Sequence, residues 1–251
     1  EGFADISSLR EEGRSIMEQG NNAYLNLPID SEAVTILLFT SGTTSMSKAV
    51  MLSQQNITSN IYAIQKVEDI RHGDVSMAFL PYHHTFGSTG QFVMLAAGAV
   101  TTFCDGLKYL QNNIVEYKVT VFFCVPLLIE SIYKKIMATV KKRGMEKKVS
   151  LGIRLSRFLL KFGIDIRRKI FKEILDQLGG EIRFVISGAS AIDPEALQGF
   201  MDFGITTAQG YGLTESSPVL AAENFREHKV GSIGRPLPGI ELAIDDPDAD
   251  G

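Results

Sequence analysis

The sequence predicts an α/β domain with a mostly parallel sheet and helices on both of its faces. Apolar runs of strand length recur along the chain, and segments of helical periodicity lie between them. Strands that alternate with helices usually pair in parallel, because each helix carries the chain back across the sheet. The 251 residues are 45% hydrophobic and 22% charged, which is typical of a folded globular protein.

The predicted strands are the apolar runs, and the predicted helices are the periodic segments between them. The strands cover residues 34–40, 75–80, 99–104, 120–125 and 182–187. The helices cover residues 7–19, 54–66, 88–97, 107–117, 127–140 and 194–203. The last helix has a clear start, because Asp193 can serve as N-cap and Pro194 suits the first helical position.

Positive charge is concentrated in one part of the chain. Residues 134–183 contain 15 Lys and Arg against 5 Asp and Glu, whereas the whole chain has a net charge of −4. Within this part, residues 151–178 form two amphipathic patterns. One interpretation is a pair of helices whose apolar faces pack on the core and whose basic faces are solvated. The other is a peripheral membrane contact, or a site for a phosphate-rich ligand. Its basic residues are Arg154, Arg157, Lys161, Arg167, Arg168 and Lys169.

Several classes of function receive no support. The net negative charge gives the molecule no general attraction for nucleic acid. Cys104 and Cys124 each end an apolar run and are interpreted as small buried hydrophobes in a reducing compartment. The longest apolar stretch, residues 119–129, is too short to span a bilayer, and the first twenty residues do not resemble a signal peptide. A cytoplasmic protein is the expectation.

The most informative segment is residues 37–48, where an apolar strand runs into a loop rich in hydroxyls that ends at Lys48. Backbone N–H groups and short hydroxyl donors in such a loop bind phosphate oxygens, and a lysine adds a mobile charge. The Walker-type spacing is absent. Loops of this composition also occur as plain turns.

This segment, Thr-Ser-Gly-Thr-Thr-Ser-Met-Ser-Lys at 40–48, resembles the Thr-Ser-Gly-Thr-Thr-Gly-x-Pro-Lys-Gly signature of the adenylate-forming superfamily. Four more segments match that family in its order: Leu-Pro-Tyr-His-His-Thr-Phe-Gly at 80–87, Ser-Gly-Ala-Ser-Ala-Ile at 187–192, Gln-Gly-Tyr-Gly-Leu-Thr-Glu at 209–215 and Val-Gly-Ser-Ile-Gly-Arg-Pro at 230–236. Ser45, Ser47 and Ala49 depart from the first signature. A Cβ at position 45 or 49 would be strained if the family's glycine has a positive φ there.

The resemblance implies an ATP site with Mg²⁺. The phosphates would be held by Ser41, Gly42, Thr43, Thr44 and Lys48. Mg²⁺ would be held by Glu215 with Thr43, and Thr214 would reach a phosphate. Oxygen ligands and few protein contacts suit this ion.

The resemblance also implies a site for adenine and a site for the acid. Tyr211, between Gly210 and Gly212, would stack on adenine opposite the backbone of Gly188, Ala189 and Ser190. The amide of Gln209 would meet the adenine amino group. His84 would lie near the reacting carboxylate, while His83 would point elsewhere.

The resemblance identifies residues 1–251 as part of an AMP-binding domain. It implies that the family's leading subdomain, trailing β-subdomain and mobile C-terminal domain lie outside the chain, which by itself would be inactive. The parent protein would activate a carboxylic acid with ATP and transfer the acyl group to CoA. Residues 83–88 hold no acid to pair an amino-acid substrate, and the basic insert is similar to one in fatty acyl-CoA synthetases, so a medium- or long-chain fatty acid is favoured. The alternatives are an aryl- or other non-fatty acid ligase, and a non-catalytic nucleotide-binding protein with this fold.

Overall fold

A computed structural model describes residues 5–40, 47–224 and 226–245. The chain divides into two units, residues 1–33 and 34–251. The first unit contains helix α1 (Ile6–Glu18) and a 3₁₀ turn (Tyr24–Asn26). Helix α1 begins where the Asp5 carboxylate accepts hydrogen bonds from the backbone N–H groups of Ser7 and Ser8.

The second unit alternates strands and helices. Its strands are β1 (Val34–Thr40), β2 (Lys48–Ser53), β3 (Val75–Ala78), β4 (Val100–Phe103), β5 (Val121–Cys124), β6 (Phe184–Ser187), β7 (Thr206–Gly212), β8 (Val219–Ala222) and β9 (Arg235–Pro236). Its helices are α2 (Gln54–Val67), α3 (Thr85–Ala96), α4 (Leu110–Glu116), α5 (Pro126–Lys142), α6 (Glu146–Leu160), α7 (Arg167–Ile170), α8 (Lys172–Asp176) and α9 (Pro194–Asp202). Two 3₁₀ turns cover Leu107–Tyr109 and Thr214–Ser216.

The main sheet has seven strands in the order β4-β3-β5-β6-β7-β8-β9. The pairs from β4 to β7 are parallel, and β8 and β9 add antiparallel pairs at one edge. This arrangement confirms the predicted α/β class and the mostly parallel sheet. Each of the five predicted strands is present within about one or two residues of its predicted bounds.

The central strands are buried on both faces of the sheet. Phe122 and Cys124 of β5 lie in a core formed with helices α4 to α9, while Val121 and Phe123 face Met94 of α3. Residues two apart on a strand share a face, so this alternation places helices on both sides. Burial raises the pKa of the Cys124 thiol, as expected for the predicted buried hydrophobe.

Strands β1 and β2 form a separate antiparallel hairpin, and β2 was not predicted. Thr40 pairs with Lys48, so the hairpin joins the two ends of the loop identified in the sequence. Helix α2 follows at once. Its N-cap Ser53 and Asn56 form a capping box, in which each side chain accepts a hydrogen bond from the other residue's backbone N–H.

The structure corrects one interpretation of residues 151–178. The predicted second helix is two short helices, α7 and α8. Four of its six apolar residues, Phe171, Ile174, Leu175 and Leu178, are buried as expected, whereas Ile166 is half-buried and Ile170 is exposed. Helix α6 instead packs through Val149, Gly152, Ile153 and Ser156. The approach is close at Gly152, where a Cβ would lie 3.0 Å from Cγ2 of Ile170. The predicted packing face of α6 is exposed except at Leu159, which is half-buried. Three exposed residues of α6, together with Phe162 two residues beyond its end, form the α6 apolar row, with exposed fractions given in parentheses: Leu151 (67%), Leu155 (48%), Phe158 (57%) and Phe162 (68%).

The basic residues of this stretch also divide into two groups. Arg157, Arg167 and Arg168 make structural contacts: Arg157 pairs with Asp202, and the other two donate to backbone carbonyls such as those of Met201 and Gly204. Arg154, Lys161 and Lys169 are exposed and have no ion-pair partner among the described residues. In the part of the chain that the structure describes, no helix is both long enough and apolar enough to cross a bilayer.

Candidate functional site

A cavity of about 910 Å³ lies at the carboxyl ends of the parallel strands. Segments that follow β3, β5, β6 and β7 contribute to its wall, for example Leu80, Val125 and Gly188. Helices α2 and α3 close another side with Ile64 and Val93. The carboxyl edge of a parallel sheet is where ligands bind in open α/β folds.

The cavity brings together most of the site residues that the sequence singled out. These residues come from four separate segments, and they are Lys48, His84, Gly188, Ala189, Gly210, Tyr211, Gly212, Thr214 and Glu215. Ser41, Gly42, Thr43 and Thr44 lie outside the described residues, as does the substituted position Ser45. Ser190 and Gln209 are described, but they are not part of the cavity wall.

Lys48 lines the cavity as the first residue of β2, and its register partner Thr40 lines it as the last residue of β1. The hairpin therefore holds the backbone of Lys48 at the mouth of the predicted phosphate loop. Ala49 follows in the strand and does not have a positive φ. The substitution of alanine for glycine consequently causes no backbone strain at position 49.

His84 lines the cavity from the N-cap position of α3. The backbone turns sharply here, and a Cβ at Gly87 would lie only 2.5 Å from the carbonyl oxygen of Pro81. This close approach fixes the start of α3 beside the segment that carries the histidine. The ring of His83 is 4.4 Å from that of His84, but His83 is not part of the cavity wall, in agreement with the prediction.

The segment predicted to bind adenine is a tight turn after β6 that faces β7. Ala189 has a positive φ of 77°, which is costly for a residue with a side chain and is often found at functional sites. Tyr211 lies on β7 with its side chain partly exposed to the cavity. A planar ring and an exposed backbone turn can hold a flat heterocycle between them.

Gln209 is placed differently from the prediction. Its side chain is buried, with Oε1 accepting a hydrogen bond from the backbone N–H of Ile192 at 3.0 Å and Nε2 donating to the carbonyl of Ser232 at 3.3 Å. These two bonds use one lone pair of Oε1 and one hydrogen of Nε2 and hold the side chain outside the cavity wall, so its predicted contact with adenine stays a prediction. It connects β7 to two neighbouring loops instead.

Glu215 lies in the 3₁₀ turn after β7, and its exposed side chain lines the cavity. A Cβ at Gly212 would lie 1.9 Å from the carbonyl oxygen of Pro218, so only glycine permits the chain to approach itself this closely. The described residues contain no cluster of three or more His, Cys, Asp or Glu that could enclose a metal. A single carboxylate beside a phosphate site does fit Mg²⁺, which keeps most of its waters and binds few protein oxygens.

The structure adds Glu68 to the cavity wall, a residue that the sequence gave no reason to select. Its side chain is 7% exposed, and its Oε2 has no hydrogen-bond partner. Leaving such a group unpaired costs about 1–3 kcal/mol. Burial, together with the negative charge of Glu223, raises the pKa of the Glu68 carboxyl to about 8. Glu68 is therefore mainly neutral at pH 7.

Comparison with known proteins gives consistent matches. A family model described as AMP-binding enzyme matches residues 4–251. The chain is 30% identical over 242 residues to the peroxisomal long chain acyl-CoA synthetase 6 of Arabidopsis thaliana, covering 92% of this chain and 34% of that protein. It is 26% identical over 289 residues to a chloroplastic long-chain-fatty-acid–[acyl-carrier-protein] ligase of the same plant, covering 98% of this chain and 39% of the relative.

A similar fold occurs in a solved structure of a malonyl-CoA ligase, a ternary product complex with methylmalonyl-CoA and AMP bound. The TM-score is 0.63 at 21% identity, over 85% of this chain and 40% of the other. At this identity the likeness shows the fold alone. The chain spans about a third of the length of the curated relatives described above.

Proposed function

Because the chain belongs to the AMP-binding enzyme family, we propose that the complete protein activates a carboxylic acid with ATP and transfers the acyl group to a thiol. One observation carries this proposal. Four sequence-distant segments, which contain Lys48, His84, Gly188 and Tyr211 to Glu215, meet in one cavity at the carboxyl edge of the sheet. ATP and an acid that bind side by side in this cavity would contact all four segments.

The reaction has two steps. In the first, a carboxylate oxygen bonds to the α-phosphorus of ATP while the bond to the bridging oxygen breaks and pyrophosphate leaves. In the second, the sulfur of the thiol, having lost its proton, bonds to the acyl carbon and AMP leaves. Both steps develop negative charge on phosphate oxygens, so fixed donors and cations around those oxygens lower the barrier.

The residues of the cavity have distinct proposed roles. Tyr211 and the Gly188–Ala189 backbone hold adenine between them, while Lys48 and the loop before it bind phosphates. His84 orients the acid by a hydrogen bond to its carboxylate. Glu215, with Thr43, would hold Mg²⁺, which neutralises phosphate charge when bound.

The proposed acid is a medium- or long-chain fatty acid, and the proposed thiol is CoA. Much of the cavity wall is apolar, including Ile64, Leu80, Phe86, Val93 and Ile186, and this composition suits an uncharged chain. The relative from peroxisomes is named as an acyl-CoA synthetase, and the one from chloroplasts as a ligase of an acyl-carrier protein. A carrier protein is therefore the second candidate for the acceptor.

Exchange of labelled pyrophosphate into ATP tests the proposal in the complete protein. We expect exchange that depends on a fatty acid. A panel of fatty and aryl acids separates the two acid classes, and absence of exchange with every acid would favour a nucleotide-binding protein without catalysis. Because Ala49 is unstrained, one of the three loop substitutions no longer argues for that alternative.

We propose that this chain alone does not complete the reaction, since it spans about a third of its relatives. The family's mobile domain, which contacts the reacting carboxylate, is expected elsewhere in the complete protein. Turnover by the 251-residue chain at an ordinary enzymatic rate, on the order of 10 per second, would contradict this proposal.

We also propose that α6 contacts an anionic membrane surface. The α6 apolar row is exposed over its whole length, with Phe158 and Phe162 in edge-to-face contact at 5.3 Å. The exposed cations Arg154, Lys161 and Lys169 belong to the same basic stretch. An apolar face flanked by unpaired cations is the pattern of helices that lie in the lipid interface.

A further inference from the structure

Glu68 occupies an unusual position at the end of α2. It is the C-cap of that helix, and its backbone N–H donates to the carbonyl of Ile64 at 2.9 Å. Its side chain belongs to the wall of the site cavity and also to the wall of a second cavity of about 550 Å³. Lys66, Arg71 and Arg226 line that second cavity but not the first. Glu68 therefore stands at the boundary between the two.

The part of the site cavity next to Glu68 is apolar. Ile64, one helical turn earlier, packs with Val93 of α3 and Ala222 of β8 in one hydrophobic cluster, and these three residues also line the site cavity. Lys48 lines the same cavity from the first position of β2, and His84 from the N-cap of α3, nine residues before Val93. This apolar section suits the acyl chain rather than the phosphates.

Glu223 provides a useful contrast. It is buried at 1% exposure, but its Oε1 accepts a hydrogen bond from the backbone N–H of Lys229 at 2.8 Å and its Oε2 accepts one from Gln209 at 3.1 Å. Its carboxylate is fully used in holding the backbone of β7 and the following loop. Glu68 has no such contact at Oε2, and that oxygen is itself buried, so the carboxyl keeps hydrogen-bonding capacity toward a ligand that its side chain turns to meet.

We propose that Glu68 selects acids that carry a hydroxyl group on the acyl chain, away from the carboxyl that is activated. A hydroxyl both donates and accepts a hydrogen bond, so it can satisfy an unpaired carboxyl oxygen beside the apolar residues Ile64, Val93 and Ala222. A plain hydrocarbon chain leaves that oxygen unpaired, and a site built for a hydroxyl disfavours the analogue that lacks it. This inference rests on the proposed acid-activating function and defines its substrate class.

The test measures pyrophosphate exchange by the complete protein with one saturated fatty acid and with its monohydroxy isomers. We expect kcat/KM for at least one isomer to exceed that for the parent acid by roughly three- to tenfold, the effect of one neutral hydrogen bond. Glu68→Leu should abolish this preference, because the parent acid no longer faces an unpaired carboxyl and its exchange then equals or exceeds that of the isomers. Glu68→Gln, which can still donate and accept, should retain most of the preference. Glu173→Leu, at an exposed acid on α8, is the matched control and should behave like the unaltered protein.

The outcomes separate this inference from the function on which it rests. If no acid supports exchange, the acid-activating function fails, and the inference fails with it. If the unaltered protein activates the parent acid and no isomer is preferred, the function stands and the inference is overturned. The same holds if Glu68→Leu lowers exchange equally for all acids. Should Glu68→Leu not fold, Glu68→Met is used in its place. Protection of the unaltered protein against thermal unfolding by the preferred isomer, and its loss in the variant, gives a second readout independent of turnover.

Discussion

Arg157 and Asp202 form a two-point ion pair between α6 and α9. Nε of the guanidinium lies 2.8 Å from Oδ1 of the carboxylate, and its second nitrogen lies 2.6 Å from Oδ2. The Asp202 side chain is 8% exposed, whereas that of Arg157 is 53% exposed. Parallel hydrogen bonds of this kind fix the orientation of both groups. Arg157 therefore holds α6 in place and is not free to meet a lipid surface.

We expect Arg157→Leu to lower the free energy of unfolding by about 1–2 kcal/mol. The change leaves a buried carboxylate without its cation, but the half-exposed arginine is partly screened by water, so the loss is smaller than for a fully buried pair. Urea unfolding of this chain measures the difference. Arg154→Leu, at an exposed position of the same helix without an ion-pair partner among the described residues, is the control and should stay close to the unaltered chain. Equal midpoints for all three proteins would show that the pair contributes nothing.

Glu215→Gln should reduce acid-dependent pyrophosphate exchange in the complete protein far more than it reduces adenosine binding. The carboxylate is assigned to Mg²⁺ and hence to charge on the phosphates, whereas adenosine carries no phosphate. The expected loss of exchange is on the order of 100-fold. Exchange is measured at saturating Mg²⁺, and adenosine binding by calorimetry. Unchanged exchange under these conditions would remove Glu215 from the metal site.

Tyr211→Ala should have the opposite effect and mainly weaken nucleotide binding. Stacking of a base on an aromatic ring acts in the ground state and is worth about 1–3 kcal/mol. The Kd for ATP should therefore rise on the order of tenfold, with a smaller change in kcat. Tyr211→Phe is the matched control because it keeps the ring. If Tyr211→Ala and Tyr211→Phe bind ATP equally well, adenine binds elsewhere in the cavity.

The raised pKa of Glu68 predicts a specific dependence of stability on pH. In the unfolded chain this carboxyl has an ordinary pKa near 4.5, and in the folded protein its pKa is about 8, so the folded state binds the extra proton between these values. The stabilisation is complete below the unfolded pKa and is lost as pH rises toward 8. The free energy of unfolding should decline over this range with a slope of at most about 1.4 kcal/mol per pH unit.

Urea unfolding of this chain and of Glu68→Gln, at several values between about pH 5 and about pH 8, isolates this contribution. The other titratable groups are common to both proteins, so the difference in slope belongs to Glu68 and to its coupling with Glu223. Parallel pH profiles would mean that Glu68 titrates normally and that water or another group reaches it.

Binding to vesicles tests the proposed membrane contact of α6. Each of the cations Arg154, Lys161 and Lys169 should add about 1 kcal/mol of attraction to a bilayer that contains phosphatidylserine, and added salt should weaken it. Changing all three to glutamine should abolish co-sedimentation, as should Leu155→Ser with Phe158→Ser. A triple glutamine variant at Lys66, Lys108 and Lys118, outside the basic stretch, should still bind. If both triple variants sediment alike, the exposed face has another partner.

The sheet could be predicted where a strand is a continuous apolar run, as in β5 and β6, because burial on both faces requires this composition. Strand β7 escaped prediction, since Gln209 and its four glycines and threonines make it look like a loop. Its polar groups are satisfied by contacts that only the fold supplies. The apolar row of α6 was predicted to be buried, because amphipathicity identifies two faces without revealing which of them packs. Gly152 and Ser156 allow a closer approach than the leucines do, and the helix packs on that side.

Much of the candidate site was predictable because its residues lie in segments whose order and spacing resemble a known pattern. Glu68 could not be found in this way. A glutamate at a helix end beside Asp69 is typical of a solvated position, and its burial results from packing of α2 against α3 and β8.

The contacts at Gly212 and Gly87 have a consequence for how such a protein diverges. At each of these two positions backbone lies against backbone, at Pro218 and at Pro81, and no side chain can be introduced without displacing the main chain. Another part of the wall is made of side chains, including Ile64 of α2 and its C-cap Glu68, which single nucleotide changes can alter while the main chain stays in place. Substitutions can therefore reshape the part of the wall made of side chains, whereas the two backbone contacts resist any residue larger than glycine.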